Sequence, residues 1–183
     1  MPRPYFEFLL SYNTDASYFP DVPDAAERSG VTIGVVNLQP RSVGTVRLAS
    51  ADPLDSPLID PAYLSDQADV DLLVKGLRMA QQVAAAPALK PWAENIVPAL
   101  DATDEEVAQH VRDDAAITFH SVGTVRMGRV DDPDAVLDPQ LRVKGVQGLR
   151  VADASVMPDL IRGHTVAPSV FIGWRAADLI TER

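Results

Sequence analysis

The sequence of 183 residues contains no cysteine. This absence excludes disulfides, thiolate catalysis and metal sites with thiolate ligands, and it favours a cytoplasmic protein. Basic residues are also scarce, because 16 Lys and Arg stand against 26 Asp and Glu, for a formal net charge of −10 at pH 7. Such an acidic surface repels phosphate backbones, so we do not expect a nucleic-acid partner.

Long apolar runs and several familiar fingerprints are missing as well. No run approaches the roughly 18 apolar residues that a membrane span requires, and residues 1–15 lack the apolar core and the cleavage site of a signal peptide. We therefore expect a soluble protein with no membrane partner. Neither G-x-G-x-x-G nor a P-loop occurs, and G-x-S-x-G and H-E-x-x-H are absent too. The sequence predicts no metal site and no nucleotide-binding loop of its own.

The first third of the chain has the pattern of β-strands. Residues 5–12 are rich in aromatic and branched side chains, and residues 31–38 and 44–49 flank a short polar turn, which predicts a hairpin between them. Residues 16–30 are rich in Pro and Asp and are predicted to form a loop. Residues 52–61 carry three prolines and are excluded from a central strand or a helix interior.

Helical patterns follow. One helix is predicted from Ser65 or Asp66 to about Ala86, and a second from Thr103, which begins a capping box. Two short strands, 141–143 and 149–151, are predicted across a Gly-bearing turn. A last helix is predicted from Ala167, with Pro168 in its first turn and apolar residues on nearly all faces, a pattern typical of burial on several sides. This order predicts the α+β class, with an antiparallel sheet, packed helices and a strand–loop–helix return.

The histidines are the side chains suited to proton transfer near neutral pH. His110 lies among charged residues on the second helix and is predicted to be a surface residue. His120 precedes a Gly- and Thr-bearing turn, and His164 lies just before the last helix, whose N-terminus carries partial positive charge. Asp153 follows a predicted strand. Two interpretations are open: a proton-transfer site assembled by folding back, or two loop-capping histidines and a turn-capping aspartate.

Three linked motifs then suggest a family. Phe119–Gly128 (FHSVGTVRMG) resembles the His-x-Val-Gly-Thr-Cys-x-Met-Gly segment of the glucose-methanol-choline (GMC) family of FAD-dependent oxidoreductases. Residues 141–158 are similar to the long C-terminal signature of that family, and Gly163–Pro168 matches the element that bears its second catalytic residue. Residues 39–44 and 57–61 also look like family segments. The resemblance is to the C-terminal portion of the family and covers nearly the whole chain.

The resemblance implies roles for individual residues. His120 matches the base that takes the proton of an alcohol as hydride leaves for flavin N5, and His164 matches a second catalytic position, which is His or Asn in this family. The resemblance also implies four contacts to FAD. These are Asp153 and Ala154 along the diphosphate and ribityl chain, and the backbone of Thr165 and Val166 near the flavin N1–C2=O edge.

Family members are several hundred residues long and bind FAD chiefly through an N-terminal βαβ fingerprint that this sequence lacks. The resemblance therefore implies a substrate-binding region at residues 1–118 and an active-site region at residues 119–183. The second region would complete an FAD-binding domain supplied by a partner chain, in a heteromer, or by an N-terminal half. We expect an exposed apolar face around residues 149–151 and 170–180 unless that partner covers it. The alternatives are a non-catalytic binding or stabilising subunit that keeps the family fold, and oxidation of an aldehyde hydrate.

Overall fold

The computed structural model describes residues 4–11, 31–92 and 96–181. The predicted loop at residues 16–30 lies outside these ranges. The strands are β1 Phe6–Ser11, β2 Thr32–Asn37, β3 Thr45–Arg47 and β4 Leu58–Asp60. The helices are α1 Gln67–Ala84, α2 Asp104–Asp114 and α3 Val166–Thr181, with single 3₁₀ turns at Lys90–Trp92 and Ala154–Val156. The chain divides into two compact units, Met1–Ser42 with Leu64–Ala116, and Val43–Tyr63 with Ile117–Arg183.

The sheet of the first unit is antiparallel and pairs β1 with β2, with Phe6 opposite Asn37 and Ser11 opposite Thr32. Helix α1 packs on this sheet, and Gly76 lies at the crossing, where a Cβ atom would collide with the Val35 side chain. The predicted strands at residues 5–12 and 31–38 are confirmed. The predicted hairpin between residues 31–38 and 44–49 is wrong, because β2 pairs with β1 and β3 pairs with β4.

Both helices of the first unit begin where the sequence predicts. The Asp66 carboxylate accepts a hydrogen bond from the Ala68 amide at 2.8 Å and caps α1. At α2 the Thr103 amide donates to Glu106 at 2.7 Å, and the Glu106 amide donates back to the Thr103 hydroxyl at 3.3 Å. This capping box satisfies two backbone donors that a helix start leaves unpaired. Val107 on the inner face of α2 is fully buried.

A buried carboxylate explains why the turn after β2 does not close a hairpin. Asp69 on α1 is only 2% exposed and accepts hydrogen bonds from the Arg41 and Ser42 amides, both at 2.8 Å, and from Asn37 Nδ2 at 3.1 Å. The Ser42 hydroxyl also donates to it. Because these amides donate to Asp69, they are not available to donate to backbone carbonyls across a hairpin turn.

Replacing Asp69 by Asn is expected to lower the free energy of unfolding of the chain by about 2–3 kcal/mol near neutral pH, since an amide nitrogen would then face backbone donors. Urea denaturation measures this change. Asp71→Asn is the matched control, because Asp71 lies exposed on the same helix and accepts only from Gln67 among the hydrogen bonds of the described ranges; its effect should stay within about 0.5 kcal/mol. Equal effects of the two substitutions would contradict the assignment.

The effect of Asp69→Asn on stability should depend on pH. Burial raises the pKa of the Asp69 carboxyl, but the hydrogen bonds from Ser42, Arg41 and Asn37 outweigh it, so the pKa lies below its ordinary value of 3.8. A carboxyl with a lowered pKa stabilises the fold above its unfolded pKa, and this stabilisation is lost as the pH falls through the folded pKa. The difference in the free energy of unfolding between the wild type and Asp69→Asn should therefore become smaller in acid.

The second unit contains the small sheet β3–β4 and a core around Leu137. β3 and β4 pair antiparallel, with Thr45 opposite Asp60, and Gly44 allows a close approach that any Cβ would block at the Asp60 carbonyl. The proline-rich segment thus supplies only a three-residue strand of a two-stranded sheet, as its composition allows. The core cluster is formed by Leu137, Leu141, Val156 and Ala176.

The two strands predicted at residues 141–143 and 149–151 are reduced to one antiparallel bridge between Arg142 and Arg150. Hydrogen bonds on either side of this bridge join Val143 to Leu149 at 3.0 Å and Val151 to Leu141 at 3.2 Å. Positive φ angles of 61° at Leu141, 78° at Gly145 and 74° at Gly148 bend the chain at both ends of the pairing, so no longer ladder forms. The two segments pair as predicted, but neither forms a strand.

Helix α3 begins at Val166 with Pro168 in its first turn, as predicted. Its predicted burial on several sides is wrong for this chain, because Ala176 is its only buried residue in the part that the structure describes. Phe171, Trp174 and Ile180 are exposed by 59%, 66% and 64%, and Leu149 by 50%. The expected exposed apolar face is therefore confirmed.

In class the molecule is a mixture of helices with small antiparallel sheets, in agreement with the predicted α+β class. Among the described residues, no helix combines the length and the apolar character that crossing a membrane would demand. The functional division near residue 118, and the completion of a flavin domain, stay predictions.

Candidate active site

The site is built from two chain segments that lie side by side in the second unit. The amide of Val125 donates to the Ser155 carbonyl at 3.1 Å, and the amide of Met127 donates to the Val156 carbonyl at 2.8 Å. These bonds align the segment after His120 with the 3₁₀ turn at Ala154–Val156. The motif at Phe119–Gly128 and the motif at residues 141–158 are thus direct neighbours.

Two backbone features orient the start of the first segment. Phe119, immediately before His120, has a φ angle of +58° and an 84% exposed side chain. A bulky residue in this left-handed region is uncommon and costs energy. Gly123 has a φ angle of +89°, which a glycine adopts without strain. Left-handed backbone conformations therefore lie on both sides of His120, at Phe119 and at Gly123.

His120 and His164 meet at this point. His120 Nε2 lies 2.6 Å from His164 Nδ1, and the ring centroids are 4.8 Å apart with an interplanar angle of 68°. Two imidazole nitrogens at this distance share one proton, because two lone pairs or two N–H groups would repel each other. The prediction that folding back joins the two histidines is confirmed. The pair is a unit that can accept one proton from a neighbouring group.

The third member of the cluster is the Thr165 side chain. Thr165 Oγ1 lies 2.8 Å from His120 Nδ1, and the residue is only 7% exposed. The resemblance implied a role for its backbone, and the hydroxyl contact was missed. A signal exists in the sequence: Thr165 directly precedes a helix whose third residue is Pro168, which has no N–H for the threonine hydroxyl to cap.

The N-terminus of α3 lies next to the histidine pair in the chain. Helix geometry leaves the first-turn amides of Val166 and Ala167 without intrahelical acceptors, and the helix dipole adds partial positive charge there. The Thr165 carbonyl accepts from the Ser169 amide at 3.0 Å, which starts the helical hydrogen bonds. This end of α3 can therefore bind an electron-rich group.

Asp153 caps the 3₁₀ turn beside the His120 segment. Its carboxylate accepts from the Ser155 amide at 2.8 Å and from the Ser155 hydroxyl, and the residue is exposed. The turn-capping interpretation of Asp153 thus describes its contacts within the chain. Carboxylate oxygens have further lone pairs, so a ligand hydroxyl could still donate to it. Contacts of Asp153 and Ala154 with a cofactor stay predictions.

His110 belongs to the other unit. Its Nε2 lies 3.9 Å from Asp114 Oδ2 on the same helix, and the side chain is 29% exposed. Within the described ranges no cluster of three or more His, Asp or Glu side chains could hold a metal ion. A hollow of about 410 Å³ lies along residues 142–150 and includes neither His120 nor His164 in its lining.

Comparison with known proteins places these features in a wider context. A family model described as GMC oxidoreductase matches residues 40–173. The chain is 39% identical over 184 residues to an alcohol dehydrogenase [acceptor] of Pseudomonas putida, covering 100% of this chain and 32% of that protein. It is 49% identical over 144 residues to a choline oxidase of Arthrobacter globiformis, covering 76% of this chain and 26% of that protein.

Solved structures give the same result. A formate oxidase from Aspergillus oryzae, in a variant studied for FAD modification, matches with a TM-score of 0.83 and 28% identity, over 97% of this chain and 31% of that chain. Pyridoxine 4-oxidase from Mesorbium loti matches with a TM-score of 0.77 and 30% identity, over 85% of this chain and 30% of that chain. The chain spans about a third or less of the curated relatives described above.

Proposed function

The chain belongs to the GMC oxidoreductase family, and we propose that it forms the proton-accepting wall of a flavin site that oxidises the CH–OH group of an alcohol. The resemblance to the C-terminal portion of this family is confirmed by the comparisons. The observation that carries the proposal is the contact of His120 Nε2 with His164 Nδ1 at 2.6 Å, beside the start of α3.

His120 is the proposed base. An alcohol hydroxyl that takes the place of the His164 N–H group at His120 Nε2 would give its proton to that nitrogen and leave His120 as an imidazolium. Loss of this proton makes the carbinol carbon a far better hydride donor, and a positioned base typically contributes about 10²–10⁴-fold in rate. His164 holds the other side of the hydroxyl and completes its orientation.

The residues around the pair fit FAD as the cofactor. The backbone amides of Thr165 and Val166, at the start of α3, suit an electron-rich ring edge such as flavin N1–C2=O. The exposed carboxylate of Asp153 suits a ribityl hydroxyl, with Ala154 next to it. When bound, FAD would supply the acceptor for the hydride that leaves the carbinol carbon.

The rest of the cofactor requires a partner. The sequence contains no G-x-G-x-x-G loop, and the relatives are about three times as long as this chain. Helix α3 exposes Phe171, Trp174 and Ile180, a set of large apolar side chains of the kind that becomes buried in a stable interface. We infer that this face packs against the half that carries the nucleotide-binding loop, whether that half is a separate subunit or the N-terminal part of the same polypeptide.

Alcohols are the favoured substrate class, since relatives are named alcohol dehydrogenase, choline oxidase and choline dehydrogenase. Oxidation of an aldehyde hydrate is a second candidate, which the similarity to a formate oxidase favours. The non-catalytic alternative is disfavoured because both histidines are present and in contact. The test is whether an alcohol, mixed without oxygen, bleaches the visible absorbance of the flavin in the enzyme that carries this chain.

A further inference from the structure

The hydroxyl of Thr165 makes a contact that neither the motif resemblance nor the similarity to known proteins assigns. We propose that Thr165 is a positioning residue that holds His120 in the tautomer whose Nε2 can accept a proton. The inference rests on the proposed function of His120 as a base. The ring orientation and tautomer of His120, which the proposal predicts, can be measured without any catalytic activity.

Thr165 is held firmly enough for this role. It is 7% exposed, and its carbonyl accepts from both the amide and the hydroxyl of Ser169, at 3.0 and 2.7 Å. Its position is therefore set by the first turn of α3. A threonine directly before a helix usually accepts from the amide of the second or third helical residue, but the third residue here is Pro168, which has none. The hydroxyl instead lies 2.8 Å from His120 Nδ1.

The contact decides which nitrogen of His120 is basic. If Nδ1 carries the proton and donates to Thr165 Oγ1, Nε2 has a free lone pair and can accept from the Nδ1–H group of His164. An alcohol hydroxyl that displaces this N–H group can then give its proton to Nε2. If the threonine hydroxyl instead donates to Nδ1, Nε2 carries the proton and cannot act as a base. Of the two arrangements, only the first leaves His120 able to react.

Proton uptake favours the same arrangement. Once His120 is an imidazolium, both ring nitrogens carry protons and both must donate. Thr165 Oγ1 can then only accept, and a hydrogen bond from a charged donor is stronger than one from a neutral donor. The contact therefore stabilises the protonated ring more than the neutral ring. A hydroxyl at this position assists the proton transfer without touching the substrate.

The test compares Thr165→Val, which keeps the shape and removes the hydroxyl, with Thr165→Ser, which keeps the hydroxyl. Thr181→Val is the control, because Thr181 lies at the far end of α3 and donates only to backbone carbonyls of its own helix in the described structure. The first readout is the ¹⁵N NMR signature of the His120 ring in the full chain without flavin. We expect the Nδ1–H tautomer in the wild type and in Thr165→Ser, and a shift toward Nε2–H in Thr165→Val.

The second readout is turnover of the FAD-loaded enzyme. Thr165→Val should lower kcat about 3- to 10-fold, the difference expected between a hydrogen bond from a charged donor and one from a neutral donor. KM should be nearly unchanged, and Thr165→Ser and Thr181→Val should stay near the wild type. A wild-type His120 in the Nε2–H form would overturn the proposal whatever the variants do. The proposal would equally be overturned if Thr165→Ser lowered kcat as much as Thr165→Val, since the loss of activity would then come from changed packing.

The two levels of inference fail separately. If Thr165→Val has full turnover while His120→Ala has none, the positioning role is wrong and the base role stands. If the tautomer shifts as expected but no alcohol reduces the flavin, the positioning of His120 is supported and the proposed function is wrong.

Discussion

Replacement of His120 by Ala is expected to slow alcohol-dependent flavin reduction about 10²- to 10⁴-fold, the usual contribution of a positioned general base. The variant removes the nitrogen that lies 2.6 Å from His164 and substitutes no residue at the start of α3. Flavin binding should therefore persist while the chemical step is lost. The measurement is the rate of flavin bleaching after rapid anaerobic mixing with a saturating alcohol.

The chain supplies matched controls for this variant. His110→Ala removes a histidine whose only described side-chain partner is Asp114, at 3.9 Å, and it should leave the rate unchanged. His164→Asn should slow flavin bleaching less than His120→Ala does. An amide can still bind a hydroxyl, and the motif resemblance allows Asn at this position. If His120→Ala bleached as fast as His110→Ala, the base role would be refuted, and the non-catalytic alternative would gain support.

Replacement of Trp174 by Asp is expected to weaken association with the nucleotide-binding half about 30- to 1,000-fold. Trp174 is 66% exposed, and its ring lies 6.1 Å from that of Phe171, so the two form an aromatic pair on the outer face of α3. Aromatic side chains that become buried at the centre of an interface commonly contribute about 2–4 kcal/mol to binding, and each 1.4 kcal/mol is tenfold in affinity. Burying a carboxylate there adds a further penalty.

The measurement is the affinity between this chain and the separately produced nucleotide-binding half. Gln82→Asp is the control, because it adds the same charge at an exposed polar position of α1. Unfolding of the isolated chain should be similar in both variants, since Trp174 is largely outside its core. Unchanged affinity in Trp174→Asp would exclude this face as the interface. A wild-type chain that is monomeric and already holds flavin by itself would contradict the need for a partner.

Features governed by neighbouring residues were predictable from the sequence. The capping box at Thr103 and Glu106 depends on residues three positions apart, and the structure contains it as predicted. The meeting of His120 with His164 spans 44 positions. The spacing of the histidines left the loop-capping interpretation open, and the motif resemblance was needed to decide between the two.

The predictions that the structure contradicts failed because of residues far away in the chain. The turn after β2 has the local pattern of a hairpin, but its amides bind Asp69, which lies 27 residues or more along the chain. Nothing in the turn itself indicates that partner. Helix α3 has the composition of a buried helix, yet Trp174 is exposed because the described part of this chain does not cover it. The Thr165 contact was not predicted because hydroxyl groups at helix starts usually serve as caps, and only Pro168 at the third helical position indicates otherwise.

The most direct test of the central claim is anaerobic mixing of the FAD-loaded enzyme with a primary alcohol, either unlabelled or deuterated at the carbinol carbon. If the histidine pair activates an alcohol for hydride loss, the alcohol bleaches the flavin, deuteration slows the bleaching several-fold, and His120→Ala abolishes it on the same timescale. Flavin that stays oxidised with every alcohol tested, or bleaching that survives His120→Ala at the wild-type rate, would contradict the account.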